Sequence, residues 1–207
     1  MNESKLILEN ATEEITGNIK KTYRSMYNAH NRLMAVYKLQ KFSTIAIAIY
    51  ILAVSIIILN NNYFSIQVIN VYNIYLIILS VISLTLSLTI GESGNKVIAE
   101  KFQSCATELK HLYNSILLKF ERDNEYKLTE EEDLYNKILK KYNLRQSLID
   151  YEYYKMEKHK NHEIKYIYVI LFHIKYFLFT KFIYILLLLL PLLGMLFIQL
   201  FPFYGRN

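Results

Sequence analysis

Phe42-Ser-Thr-Ile-Ala-Ile-Ala-Ile-Tyr-Ile-Leu-Ala-Val-Ser-Ile-Ile-Ile-Leu59 decides the fold, together with its companion Val71-Tyr-Asn-Ile-Tyr-Leu-Ile-Ile-Leu-Ser-Val-Ile-Ser-Leu-Thr-Leu-Ser-Leu-Thr-Ile90. No charged side chain occurs from Phe42 to Gly91, whereas Glu92 to Lys165 is crowded with charge. A charged residue at the centre of a spanning helix costs roughly 2.5–3.5 kcal/mol, so a membrane protein must sort its charges into blocks in this way. Each run has about the 17–25 residues that a crossing helix needs. Asn60, Asn61 and Asn62 end the first run and open a short, uncharged loop, so the two spans, 42–59 and 71–90, form an antiparallel hairpin.

Upstream, Ile15, Ile19, Tyr23, Met26, Leu33 and Tyr37 recur at roughly helical spacing. They predict an amphipathic helix from Thr12 to Gln40 that can run unbroken into the first span. Lys20, Lys21, Arg24, Arg32, Lys38 and Lys41 lie along it, and no acidic residue occurs between Ile15 and Gly91. Basic residues gathered before a membrane entry place the N-terminus in the cytoplasm by the positive-inside rule, and they attract anionic headgroups. The net charge of +6 is therefore read as contact with the lipid bilayer, and direct nucleic-acid binding is not expected.

Beyond Gly91-Glu-Ser-Gly94 the pattern changes. Ile98, Phe102, Cys105, Leu109, Leu112 and Ile116 follow a heptad spacing, which is either an amphipathic helix packed on its own chain or a seam between subunits. Thr129-Glu-Glu-Glu132 fits a capping box at the start of a helix through Leu134, Ile138 and Tyr142. Asn143 breaks it before another helix through Ile149, Tyr153 and Met156. Phe182 to Phe203 is apolar again, with Pro191 and Gly194 inside it, and predicts a third C-terminal transmembrane helix. Tyr166 to Phe179 either lies in the interface or lengthens that span. The expected architecture is an all-α integral membrane protein with an N-terminal amphipathic helix, a transmembrane helical hairpin, cytoplasmic helices over about 95–160 and a third span at about 182–203. In chain order it divides into 12–160 and a hydrophobic region, 164–204.

The chemistry of known enzyme motifs is missing. There is no Gly-rich phosphate loop, nucleophile elbow or paired metal-ligand motif, so neither an enzyme nor a cofactor is expected. His159, His162 and Glu163 lack a third metal partner, and His30 and His111 are read as packing or surface residues. The single cysteine, Cys105, falls on the heptad and reads as a small hydrophobe. Within the spans, Asn73, Ser80, Ser83 and Ser87 share one face of the second helix. They are either packing contacts between helices or the wall of an aqueous path made by several copies. No Asp, Glu, Lys, Arg or His lies in either hairpin span, which argues against a proton relay or a charge-coupled transporter.

Lys21-Thr-Tyr-Arg-Ser-Met-Tyr-Asn-Ala-His-Asn-Arg-Leu33, then Lys41-Phe-Ser-Thr-Ile45 and the hairpin, resemble the SLATT family, the SMODS- and SLOG-associating two-transmembrane effectors. So do Ala99-Glu-Lys-Phe102, Cys105-Ala-Thr-Glu-Leu-Lys-His-Leu-Tyr113, Leu134-Tyr-Asn-Lys-Ile-Leu139 and Ile149-Asp-Tyr151. The resemblance covers Ile15 to Met156, and a third span goes beyond the two-span pattern. It implies a bacterial anti-phage effector of the inner membrane: an oligomer that permeabilises the bilayer once a defence-system sensor protein or nucleotide-signal partner is engaged. The family brings no catalytic residues to carry over. A non-conducting membrane anchor or adaptor is the alternative.

Overall fold

The computed structural model describes residues 3–60, 66–92, 94–122, 129–157 and 166–200. Among these residues the protein is helical and contains no strand, so it is an all-α membrane protein. The elements in chain order are α1 (Glu3–Asn60), α2 (Ile66–Glu92), α3 (Asn95–Arg122), α4 (Thr129–Tyr142), α5 (Leu148–Glu157), α6 (Tyr166–Phe177), a π-turn (Leu178–Phe182) and α7 (Ile183–Leu200). Three helical stretches are long and apolar enough to cross a membrane.

The amphipathic stretch and the first span are a single helix, α1, and Gly17 does not interrupt it. The second span begins earlier than its apolar run, at Ile66. Gln67 and Asn70 are polar but uncharged, and α2 runs through both. Gly94 separates α2 from α3 with a left-handed φ of +55°, a conformation natural to glycine. Asn143, at φ +46°, ends α4, and its N–H donates to the Leu139 carbonyl at 3.0 Å. Tyr166 to Leu200 is helical throughout, so the aromatic stretch extends the third apolar helix. The last residues of the expected third span, 201–203, lie outside the described residues, as do Asn61, Asn62 and the loop 123–128.

The helices form two compact units, each assembled from separated stretches of chain. The first unit is Met1–Met34 with Lys96–Tyr176, and the second is Ala35–Asn95 with Phe177–Asn207. Nearly all charge falls in the first unit, which also takes in most of α6, while the second holds both hairpin spans and α7.

The core of the first unit joins Ile19, Tyr23, Met26 and Ala29 of α1 to Phe102, Cys105, Ala106, Leu109, Leu112 and Ile116 of α3, with Ile138 of α4. Burial of each Leu or Ile in this set contributes about 1.5–3 kcal/mol. In the second unit the buried cluster is small: Val54 of α1 with Tyr72 and Leu76 of α2. Its outer face is a row of exposed Ile and Leu side chains such as Ile49, Leu52, Ile77 and Leu84, as expected where lipid covers the protein.

Tight helix contacts in the second unit explain two residues of α7. A Cβ on Gly194 would overlap the Tyr75 ring, so the ring fits only because that position has no side chain. The Tyr75 hydroxyl donates to the carbonyls of Leu190 and Pro191 at 3.0 and 3.1 Å. Gln40 Nε2 donates to the Tyr184 hydroxyl at 2.8 Å, and Ser43 Oγ donates to the Tyr184 carbonyl at 3.3 Å. The third apolar helix is thus packed against the hairpin.

Candidate functional site

Two sets of polar groups stand out against this frame, one in each unit. In the first unit, the segments that carry the family resemblance meet each other. His30 Nδ1 lies 2.9 Å from the Ala99 carbonyl, and the Tyr27 and Thr107 hydroxyls are 3.2 Å apart. Thr22 Oγ1 lies 3.0 Å from the Tyr135 hydroxyl. Residues distant in sequence are therefore joined by side-chain hydrogen bonds to a common helix, α1.

The strongest of these contacts is a buried ion pair. Arg32 Nε donates to Asp150 Oδ1 at 2.8 Å and Nη2 donates to Oδ2 at 2.9 Å, a bidentate fork. The Asp150 side chain is 0% exposed and that of Arg32 is 21% exposed. Asn28 Nδ2 donates to the Asp150 backbone carbonyl at 3.3 Å. The hydrogen bonds donated to Asp150 raise the Arg32 pKa above its already high ordinary value, while burial works in the opposite direction. Asp150 lies in the first turn of α5, where a carboxylate is also favoured by the helix dipole. Beside it, Lys21 Nζ stands 4.5 Å from the centroid of the Tyr151 ring and Lys155 Nζ 4.7 Å.

The basic residues thus differ in role. Arg32 is committed to Asp150, and Lys20 stands 5.8 Å from the Tyr113 ring centroid. Arg24 is half-buried, whereas Lys38 and Lys41 are exposed. Among the heptad residues, Phe102, Cys105, Leu109, Leu112 and Ile116 are buried against α1 and α4 within the chain, and Ile98 is 39% exposed. Those five side chains are already covered without a second copy. Burial pushes the Cys105 thiol up to about 11, so it is protonated and unreactive at neutral pH. His111 is exposed. His159, His162 and Glu163 lie outside the described residues. Among the described residues no group of three His, Cys, Asp or Glu side chains comes together.

In the second unit the polar stripe lies on α2. The helix buries Tyr72, Leu76 and Leu79, while Asn73, Ser80 and Ser87 are exposed along the adjoining flank and Ser83 is half-buried. The Ser80 hydroxyl donates to the Leu76 carbonyl at 2.8 Å, which satisfies one of its bonding groups inside the helix.

Sequence reasoning missed the partner of Arg32. Asp150 carried a signal, a lone acid between Ile149 and Tyr151, but nothing local linked it to a residue so far upstream. No curated protein and no solved structure matches the chain. A family model does match, over residues 8–197, and so takes in all three apolar helices as well as the stretch from Ile15 to Met156. The chain belongs to the SMODS and SLOG-associating 2TM effector domain family, family 5.

Proposed function

We propose that this protein is an oligomeric effector of a bacterial anti-phage defence system that permeabilises the inner membrane when a partner protein or a nucleotide signal is sensed. It does so without enzymatic chemistry. What carries the reading is the exposed flank of α2. Asn73, Ser80 and Ser87 remain outside the packing of their own chain in a helix that crosses the bilayer. Polar side chains in hydrocarbon favour a second helix or water over lipid tails. Three spanning helices cannot both pack together and enclose water, so several copies are needed, with this flank turned toward the path. The N-terminus lies in the cytoplasm, and Lys38 and Lys41 mark the inner face.

Ser80→Leu tests the reading, because Ser80 is exposed and the change leaves the core of its own unit intact. On induction, wild type should collapse the membrane potential and admit an impermeant dye. The variant should keep its crosslinked oligomers and lose dye entry, since an apolar ring closes a pore by dewetting. Loss of oligomers and dye entry together would make the flank a helix contact instead, and full dye entry would reject the flank in either role.

A second reading rests on the first unit, which has its own apolar core and gives a cytoplasmic partner a folded surface to bind. The chain would then be a non-conducting anchor or adaptor. Wild type that fails to admit dye even with its neighbouring gene expressed favours this reading.

A further inference from the structure

The Arg32–Asp150 pair is an unusual way to attach a helix. An ion pair withdrawn from water gains little over a well-packed apolar pair, because desolvation offsets most of the Coulombic attraction. Losing one partner is different: it strands a charge in a dry site. Such a contact adds modest net stability yet strongly specifies one arrangement. Here the arrangement it specifies is α5 on α1, with Asn28 on the Asp150 carbonyl and Gln146 Nε2 donating to the Thr22 carbonyl at 3.4 Å.

Helix α5 in turn seats α6. Tyr153, three residues beyond Asp150, has ring centroids of Phe172, His173 and Tyr176 at 6.2, 5.7 and 5.0 Å. From Tyr166 the chain is helical without a break through the π-turn and α7, the third apolar helix. Removing α5 from α1 would take the aromatic seat of α6 with it.

We infer that the Arg32–Asp150 pair is the restraint of the resting state, and that departure of α5 from α1 is the step that releases the membrane helices to act. The inference rests on the effector reading above and deepens it by naming the contact that a trigger must break. A ligand or partner shifts the balance only by binding the released arrangement better than the locked one.

The test compares induced growth arrest and dye entry for wild type, Asp150→Asn and the exchanged pair Arg32→Asp/Asp150→Arg, at matched amounts of protein in the membrane. Asp150→Asn should arrest growth at roughly tenfold lower inducer, because the locked population falls. The exchanged pair should move back toward wild type. A purely structural role predicts the opposite sign, with weaker arrest and no gain at any inducer level, and that result overturns the lock. Should Asp150→Asn accumulate poorly, Arg32→Gln/Asp150→Asn decides, since it leaves no unpaired charge. Arrest at lower inducer supports the lock, and wild-type behaviour overturns it. If wild type neither arrests growth nor admits dye at any induction, the effector reading itself falls, and the lock's role falls with it. If wild type is active and Asp150→Asn is no more so, only the lock fails.

Discussion

Helices α3 and α5 both dock on α1, but by different physics. The α3 contact is a continuous apolar surface: Phe102, Cys105, Leu109, Leu112 and Ile116 against Ile19, Tyr23, Met26 and Ala29. The α5 contact runs through a bidentate ion pair, an Asn side chain on a carbonyl and Lys21 over the Tyr151 ring. Apolar surface has no substitute partner in water, so separating α3 forfeits its whole burial energy. Polar groups that separate regain hydrogen bonds to solvent, and each contact adds only about 0.5–1.5 kcal/mol net when neutral and about 1.5–3 kcal/mol when charged. One helix of the same unit is thus held mainly by apolar burial and the other mainly by polar contacts, with Tyr154 also buried. The difference bears on motion: of these two helices, α5 gives up less apolar burial on leaving α1.

The comparison breaks most severely at Leu109. Even Leu→Ala at a buried site costs about 2–5 kcal/mol, and Leu109→Lys adds an unpaired ammonium to the core. Leu109→Lys should therefore open the α1–α3 contact. Labelling of Cys105, which is buried and protonated in the wild type, should rise from negligible to rapid. Asp150→Asn should leave Cys105 protected while cleavage by added protease within α5 increases. The free-energy change should stay below the roughly 3–5 kcal/mol of a fully buried broken pair, because the Arg32 side chain is 21% exposed. Labelling of Cys105 by both variants at equal rates would erase the distinction between the two helices.

Smaller effects sharpen the same contrast. Tyr151→Ala removes the ring beneath Lys21 of α1, a contact that contributes about 0.5–1 kcal/mol at an exposed site. Protease should then cut α5 a few times faster, with Cys105 still protected. The smallest effect is acid-dependent and belongs to α3 and α4. Lys141 Nζ and the Tyr142 hydroxyl donate to Glu108 Oε1 at 2.6 and 2.7 Å and hold its carboxyl below the usual carboxylate range. A depressed carboxylate stabilises the fold above its unfolded pKa, and that contribution disappears as pH falls through the folded value. Acid titration of Glu108→Gln should show a slightly weaker loss of stability than wild type, and identical curves would assign the pair no role.

Much of this could be read from the sequence because it depends on neighbours along the chain. The uncharged stretch from Phe42 to Gly91 specified a membrane hairpin without reference to any distant residue, and the heptad from Ile98 to Ile116 specified an apolar helix face. The heptad could not say what covers that face, because spacing describes a surface and not its partner. Arg32 shows the limit most clearly. It fits the row of basic residues before the first span, and its charge is visible, but the carboxylate that claims it lies 118 residues away. Gly194 is similar: a glycine in an apolar helix reads as tolerated, whereas its purpose is to admit the ring of Tyr75 from α2.

That separation of 118 residues between Arg32 and Asp150 also sets an order of events during synthesis. At about 5–20 residues per second, the aspartate is made roughly 6–24 s after the arginine. Both hairpin spans and α3 are complete in that interval, so the apolar contact can close while the ionic one still lacks its second half. A ribosome that stalls between Arg122 and Leu148 would leave a chain with its hairpin finished and α5 missing. Quality control of unfinished chains therefore matters to a cell that makes this protein, because the contact proposed to keep the product silent forms only after the hairpin is complete.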